Sequence, residues 1–249
     1  MIGETLWMFR RWRRSIFAGI AAWPGNIAAW WRFWRSYGQY KRMAPREKRP
    51  SLDYLFPCIG DDVAETPIDT VYFYQDAWAF GKIIENRPSL HIDVGSHHKF
   101  VGLLSKVVPV TMIDVRPLGV QLDTLNFQKG SILDLPFANE SVMSLSSLCV
   151  VEHIGLGRYG DPLDPDGTEK AIGELKRVVA PGGNLYVSLP LYRYTQTYFN
   201  AHRAFREEDV LPLFEPFRVV EKRYIYGNRF GDQIEPGFGT GCYHLRRPA

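Results

Sequence analysis

Asp93, Gly95 and Asp114 are the residues whose types and spacing first point to chemistry in this chain. In HIDVGSHHKF, residues 91–100, apolar residues run into an acid and then a glycine. That pattern occurs where a strand delivers a nucleotide to the tip of a sheet. The glycine allows a tight turn, and the helix that follows aims its N-terminus at an anionic group. Asp114 ends a second apolar run, VPVTMIDV, 21 residues after Asp93. A carboxylate at that spacing accepts hydrogen bonds from both hydroxyls of a ribose. A lone aspartate at a strand end is often only a helix cap, and its coupling to Asp93 and Gly95 favours the ribose. Arg116 either pairs with Asp114 or meets a 2′-phosphate, which keeps an NADP-linked oxidoreductase open. Further glycines that would bring ligand atoms against the backbone are missing, and His97 and Lys99 stand there instead.

A second group follows in VVEHIGLGRYGDPLDPDG. Glu152 and His153 fall where a strand ends, at the sheet edge that binds ligands in such folds. His153, with an unperturbed pKa near neutrality, is the first choice for a general base, against the plainer role of shaping a pocket floor. Asp161, Asp164 and Asp166 either grip sugar hydroxyls or one magnesium ion, or simply make turns. Their spacing fails the EF-hand pattern. His202 and Arg203, in FNAHRAF, either meet a phosphate or carboxylate of a substrate or pair with Glu207 or Glu208. His97 and His98 are adjacent, a spacing that rarely converges on one ion, so no metal site is expected.

These residues need a sheet to hold them. Tyr72 to Asn86 reads as a helix ended by Arg87-Pro88. LHIDVG, VPVTMIDV, FQKGSI, SVMSLSSLCV and NLYVSLPL read as five strands, with helical residues around 97–106. TEKAIGELKRVV, 168–179, is a helix with Ile172, Leu175 and Val179 on one face, Thr168 as its N-cap, and Pro181-Gly182-Gly183 as its stop. Strands alternating with helices predict a parallel sheet covered on both faces. After the short helix REEDVLPLF come FRVVEKRYIYG and GTGCYHLRR, joined by a loop of turn formers. They predict a terminal antiparallel pair, which an ordinary dinucleotide-binding sheet does not contain.

Residues 1–50 are different in kind. Six of the seven tryptophans fall within residues 1–43, interleaved with arginines, and the eleven basic residues of 1–50 face only Glu4 and Glu47. The apolar run Ser15 to Trp23 is too short for a bilayer, which needs about 20 apolar residues. Pro24-Gly25 end that run. Tryptophan with arginine favours the lipid–water boundary; aromatic packing on the domain and a signal peptide are the alternatives. APREKRPS, 44–51, reads as a linker, which divides the chain into an arm at 1–50 and a domain at 51–249. The net charge of +3 is too small to argue for nucleic acid. Three scattered cysteines without a CxxC fit a reduced cytoplasmic compartment.

The quoted motifs, from about residue 88 to 247, resemble a class I S-adenosylmethionine-dependent methyltransferase domain. More narrowly, from Tyr72, YFYQDAWAFGKI, DVGS, IDVRPL, SLSSLCVVEHIGLGRYGDPLDPDG, ELKRVVAPGGNLYVSLPL and FNAHRAF resemble a bacterial DUF268-like family that accompanies surface-polysaccharide synthesis. The resemblance implies a Rossmann-like α/β sheet of seven strands with an antiparallel last strand; it does not cover residues 1–50, where the composition suggests a Trp/Arg-rich helical arm. It implies S-adenosylmethionine held by Asp93, Gly95, Ser96, Asp114, Ser131 and Ile132. Ser131 stands where many relatives carry an acid that meets the adenine. Lys99, at a lost glycine position, could offer charge to the cofactor's carboxylate. His153 and Glu152 become the catalytic pair, and Asp161, Asp164, His202 and Arg203 the substrate contacts. The expected activity is methylation of a sugar or glycolipid at the inner membrane face, residues 1–43 touching lipid. A non-catalytic partner with the same fold is the other alternative.

Overall fold

The structure, a computed structural model, describes residues 23–249, so Trp7, Trp12 and Arg10 to Arg14, expected at a lipid–water boundary, lie outside the described residues. The chain divides into two compact units between Pro67 and Ile68. In the first, helix α1 spans Trp23–Met43. Pro24, expected to end an apolar run, sits instead in the first turn, where its missing N–H would have had no helical partner. Neighbouring rings three apart, Trp30 with Phe33 and Trp34 with Tyr37, meet edge to face at 5.8 and 5.9 Å. Trp31 and Trp34 remain exposed, and the Arg35 guanidinium lies 5.2 Å over the Trp31 ring. No helix among the described residues is long and apolar enough to cross a membrane. The expected linker contains a 3-10 turn, Arg46–Lys48, with a second at Leu52–Tyr54.

The second unit is built on one sheet. Helix α2, Thr70–Asn86, is capped by Asp69 and ended by Arg87 in the left-handed region. Strand β1 (His91–Val94) leads into α3 (His98–Leu104), then β2 (Val110–Asp114), β3 (Leu125–Lys129) and β4 (Val142–Leu148). Helix α4 (Gly167–Val178) precedes β5 (Val179–Leu191). The short pair β6 (Gln196–Tyr198) and β7 (His202–Ala204) forms a separate hairpin. A short helix α5 (Glu207–Val210) leads to β8 (Arg218–Tyr226), β9 (Arg229–Gly231) and β10 (Gly239–Arg246). The sheet order is β3-β2-β1-β4-β5-β10-β8-β9. Strands β1 to β5 are parallel, and β10 runs antiparallel between β5 and β8. The expected reversed strand is therefore present. The loop GNRFGDQIEPGFG adds an eighth, edge strand, because its Arg229–Gly231 folds back on β8.

Two of the local expectations fail for physical reasons. Thr168 does not cap α4; it is buried and donates to the Val151 carbonyl at 2.9 Å, and Asp166 precedes the helix. Pro181-Gly182-Gly183 lies inside β5, where α4 has already given way at Val179. A buried β-branched residue there pairs with Val142.

Alternation along the strands fills a core on each face of the sheet. Ile92, Val94, Leu185, Val187 and Leu189 pack with Ala171, Ile172 and Leu175 of α4 on one side. Val110, Met112, Leu148 and Tyr186 pack with Trp78, Ile83, Phe100 and Leu104 of α2 and α3 on the other. The carboxyl ends of β1, β2 and β4 thus emerge side by side between two helical layers.

Candidate functional site

A buried polar chain sets the turn after β1. Burial pushes the His91 imidazole down to about 3, so it is neutral. Its Nδ1 lies 2.8 Å from Ser144 Oγ and its Nε2 2.8 Å from Ser146 Oγ. Ser146 has one hydroxyl hydrogen, which it donates to Asp93 Oδ2 at 2.5 Å. His91 therefore donates from Nε2 and accepts at Nδ1. The other Asp93 oxygen accepts from the Ser96 backbone N–H at 3.1 Å. Burial raises the Asp93 carboxyl to about 6, against the pull of Ser146 and Ser96. Asp93, fully buried, thus holds the turn from beneath and does not line a cavity.

Above it lies a cleft of about 660 Å³, within the ordinary range for small-molecule sites. Gly95, Ser96, Asp114, Ser131 and Ile132 all line it, together with Tyr72, His97, Cys149, His153, Tyr159 and Asp161. Gly95 has φ +73°, and a Cβ there would come within 3.1 Å of Val150 Cγ1. His97 has an ordinary φ of −65°, so this loop needs only one glycine. Lys99 is exposed and lines a different surface hollow with Leu103 and Leu122, which removes it from the expected carboxylate contact.

Asp114 lines the cleft; its Oδ1 accepts from the Arg116 backbone N–H at 2.8 Å, and its Oδ2 has no hydrogen-bond partner among the described residues. The Arg116 side chain lies 3.5 Å from that same Oδ1 and stacks 4.4 Å from the Tyr159 ring, which accounts for its charge without a 2′-phosphate. Ser131 Oγ accepts from Leu133 N, fixing the bend that carries Ile132 into the cleft.

The expected catalytic pair is rearranged. His153 lines the cleft, but burial pushes its imidazole down to about 4, so it is a weak base. Its Nδ1 lies 2.7 Å from the Ala201 carbonyl and so carries the proton, which leaves Nε2 as the basic atom. Nε2 is 3.6 Å from Glu152 Oε1. Glu152 is buried and does not line the cleft; burial raises it to about 8, so it is protonated at neutral pH.

Among the acids, Asp161 lines the cleft while organising its own loop, accepting from the N–H groups of Gly155 at 2.6 Å and Tyr159 at 3.2 Å. Burial opposes its ionisation, yet these N–H groups hold its carboxyl below the usual range. Asp164 pairs with Lys170 at 2.5 Å outside the cleft, and that ammonium holds it low. Arg203 is corrected from a substrate contact to a structural one. It is buried, and its guanidinium donates to the carbonyls of Ile154, Asp164 and Pro165 and to Thr168 Oγ1. It does not pair with Glu207, which takes Lys222, Tyr224 and Tyr243 instead. His202 keeps a buried Nε2 without a partner and stands beside His153, with ring centroids 6.5 Å apart.

Sequence reasoning missed Tyr72, Tyr159 and Cys149 as lining residues. Tyr72 sits on a helix distant in sequence, and only the family-like string YFYQDAWAF singled it out. Cys149 lies in an apolar run that suggests only packing; it follows β4 at φ +52° and lines the cleft.

Solved structures share this fold. The N-methyltransferase NodS from Bradyrhizobium japonicum, in complex with S-adenosylhomocysteine, matches at TM-score 0.53 and 16% identity, over 78% of this chain and 92% of that one. The 1,6-didemethyltoxoflavin-N1-methyltransferase of Burkholderia thailandensis, with S-adenosylhomocysteine bound, matches at 0.53 and 14%, over 72% and 84%. The fold is the class I methyltransferase fold. Methyl transfer is not its sole use, since the [4+2]-cyclase SpnF matches at 0.52 and 14%, over 70% and 81%. The model of a family described as Caenorhabditis protein of unknown function, DUF268, matches residues 134–226, fewer than half of this methyltransferase-fold chain. That segment holds the Glu152–Asp164 loop and the β6–β7 hairpin but neither Gly95 nor Asp114. The match does not carry a bacterial assignment. No curated protein matches.

Proposed function

We propose that this protein is an S-adenosylmethionine-dependent methyltransferase. One observation carries the reading: Gly95 and Asp114, from adjacent strand ends, face a single cleft. The residues fit the cofactor. Asp114 keeps a free carboxylate oxygen for ribose hydroxyls, Ser131 and Ile132 offer a polar and an apolar edge to adenine, and the Gly95–Ser96 turn admits the methionine end. When bound, S-adenosylmethionine supplies an electrophilic methyl group on a sulfonium. The chain's own part is positioning. His153, its Nδ1 proton held by Ala201, presents Nε2 as proton acceptor, and Tyr159 and Asp161 wall that end of the cleft.

For the acceptor we propose a sugar or glycolipid hydroxyl. In support, rings follow one another outward from the cleft: Tyr159 to His153 at 5.6 Å, then His202, then Phe238 at 5.6 Å, and Tyr192 at 6.2 Å. Aromatic faces with polar edges suit the C–H faces and hydroxyls of pyranoses. The exposed Trp31 and Trp34 beside Arg32 and Arg35 support contact of residues 1–43 with an anionic lipid surface at the inner face of the membrane. A non-catalytic partner is the second reading, favoured by the loss of the near-neutral base at His153. Calorimetry with S-adenosylhomocysteine and NADPH tests the proposal. The first binds and the second does not; absence of S-adenosylhomocysteine binding overturns the enzyme.

A further inference from the structure

The motif YFYQDAWAF places a second polar group beside the cleft. Asp76 lies one helical turn after the cleft-lining Tyr72, on the same face of α2. Its Oδ2 is 3.9 Å from Nδ1 of His97, which also lines the cleft and stacks 4.9 Å from Tyr72. The carboxylate is four-fifths covered, yet among the described residues neither lysine nor arginine pairs with it. Its hydrogen-bond donor is Gln75 Nε2, at 3.3 Å. The Gln75 amide is locked in that direction, because its oxygen accepts from Ser188 Oγ at 2.7 Å and Cys149 Sγ at 3.1 Å. His97 Nδ1 is itself buried without a hydrogen-bond partner. A covered carboxylate and an orphaned nitrogen thus lie 3.9 Å apart directly behind the cleft wall that Tyr72 and His97 form near Gly95, both short of a ligand.

We infer that Asp76 takes the α-ammonium of the cofactor's amino-acid end, with His97 beside it. The inference rests on the methyltransferase reading. It also accounts for the loop's lost glycine at 97: the grip passes from backbone amides to two side chains on facing elements. Burial, with a smaller push from the Asp93 and Asp69 charges, raises the Asp76 carboxyl to about 7, as expected of a carboxylate whose cation is supplied from outside the chain.

The test compares ligands that share a nucleoside but not a tail. Asp76→Asn is near-isosteric and is titrated calorimetrically with S-adenosylhomocysteine and with 5′-methylthioadenosine, which lacks the amino-acid end. Loss of one charge-assisted contact weakens the first roughly 10- to 100-fold and leaves the second unchanged. On the unaltered protein, an S-adenosylhomocysteine analogue without the α-amino group shows the same loss, and Asp76→Asn does not weaken it further. Equal losses for both nucleosides, or no loss for either, overturn the inference while the methyltransferase reading stands. Failure of the unaltered protein to bind either nucleoside overturns both.

Discussion

Replacing Gly95 with alanine tests the turn on which the cleft depends. Two costs can be read from the structure. At φ +73° an L-residue pays about 1–2 kcal/mol for the left-handed conformation. The new Cβ also meets Val150 Cγ1 at 3.1 Å and Cγ2 at 3.3 Å, closer than ordinary contact, so the valine must shift by a few tenths of an ångström. Reduced freedom of the unfolded chain returns about 0.4–1 kcal/mol. The net expectation is a destabilisation of about 1–2 kcal/mol, measured by urea unfolding, with S-adenosylhomocysteine affinity lowered at least about tenfold. Adding Val150→Ala removes the contact but not the dihedral, so the pair is less destabilised than the sum of its singles. His97→Gly is the counter-case. Its φ is ordinary, so glycine there improves neither binding nor stability. An unchanged urea midpoint and affinity for Gly95→Ala would refute the reasoning.

Asp114→Ala removes the carboxylate proposed to meet the ribose and should weaken S-adenosylhomocysteine by roughly 10- to 100-fold in calorimetry, with little change in thermal midpoint. Glu152 has a folded pKa raised to about 8 against a usual 4.5, so the folded state keeps a proton that the unfolded state loses. Stability from this group is full below about 4.5 and declines as pH rises toward 8. Glu152→Gln should flatten that decline in urea midpoints compared at pH 5, 7 and 9. His153 runs the other way: with its pKa depressed to about 4, it favours folding above the unfolded value near 6.5 and loses that contribution on acidification toward 4. Arg203→Ala should cost about 2–4 kcal/mol in chemical denaturation, since it leaves the carbonyls of Ile154, Asp164 and Pro165 unpaired, rather than act through substrate affinity alone. Flotation with anionic vesicles should be lost when the chain begins at Ser51, and equal flotation rejects the lipid contact.

The sheet was legible because its strands carry period-two or wholly apolar runs, and these fixed β1, β2, β4 and β5 to within a few residues. The antiparallel pair β8 and β10 was readable from the absence of a helix-length pattern between them. Edge strand β9 was not, because Arg229–Gly231 looks like any turn-rich loop until β8 offers it a free edge. In the candidate site, the spacing of Gly95 and Asp114 was legible in the sequence, and the structure brings both to one cleft. The reversal of roles at Glu152, His153 and Arg203 was hidden, because sequence gives residue type and position but not burial. Burial is what protonates the glutamate, disarms the histidine and spends the guanidinium on carbonyls. Asp93 was misplaced for a related reason: the hydroxyl that holds it from below, Ser146, comes from β4, 53 residues away.

The position of β10 bears on how the molecule is made. Leu245 pairs with Leu185 on one side and Val219 on the other, so residues 239–246 occupy the middle of the sheet. On a ribosome, β5 presents a naked, apolar rim for as long as translation takes to reach Arg246. Nascent or prematurely terminated chains therefore display a sticky ledge that invites pairing with strangers, and prompt chaperone cover of that ledge should govern the yield of native protein.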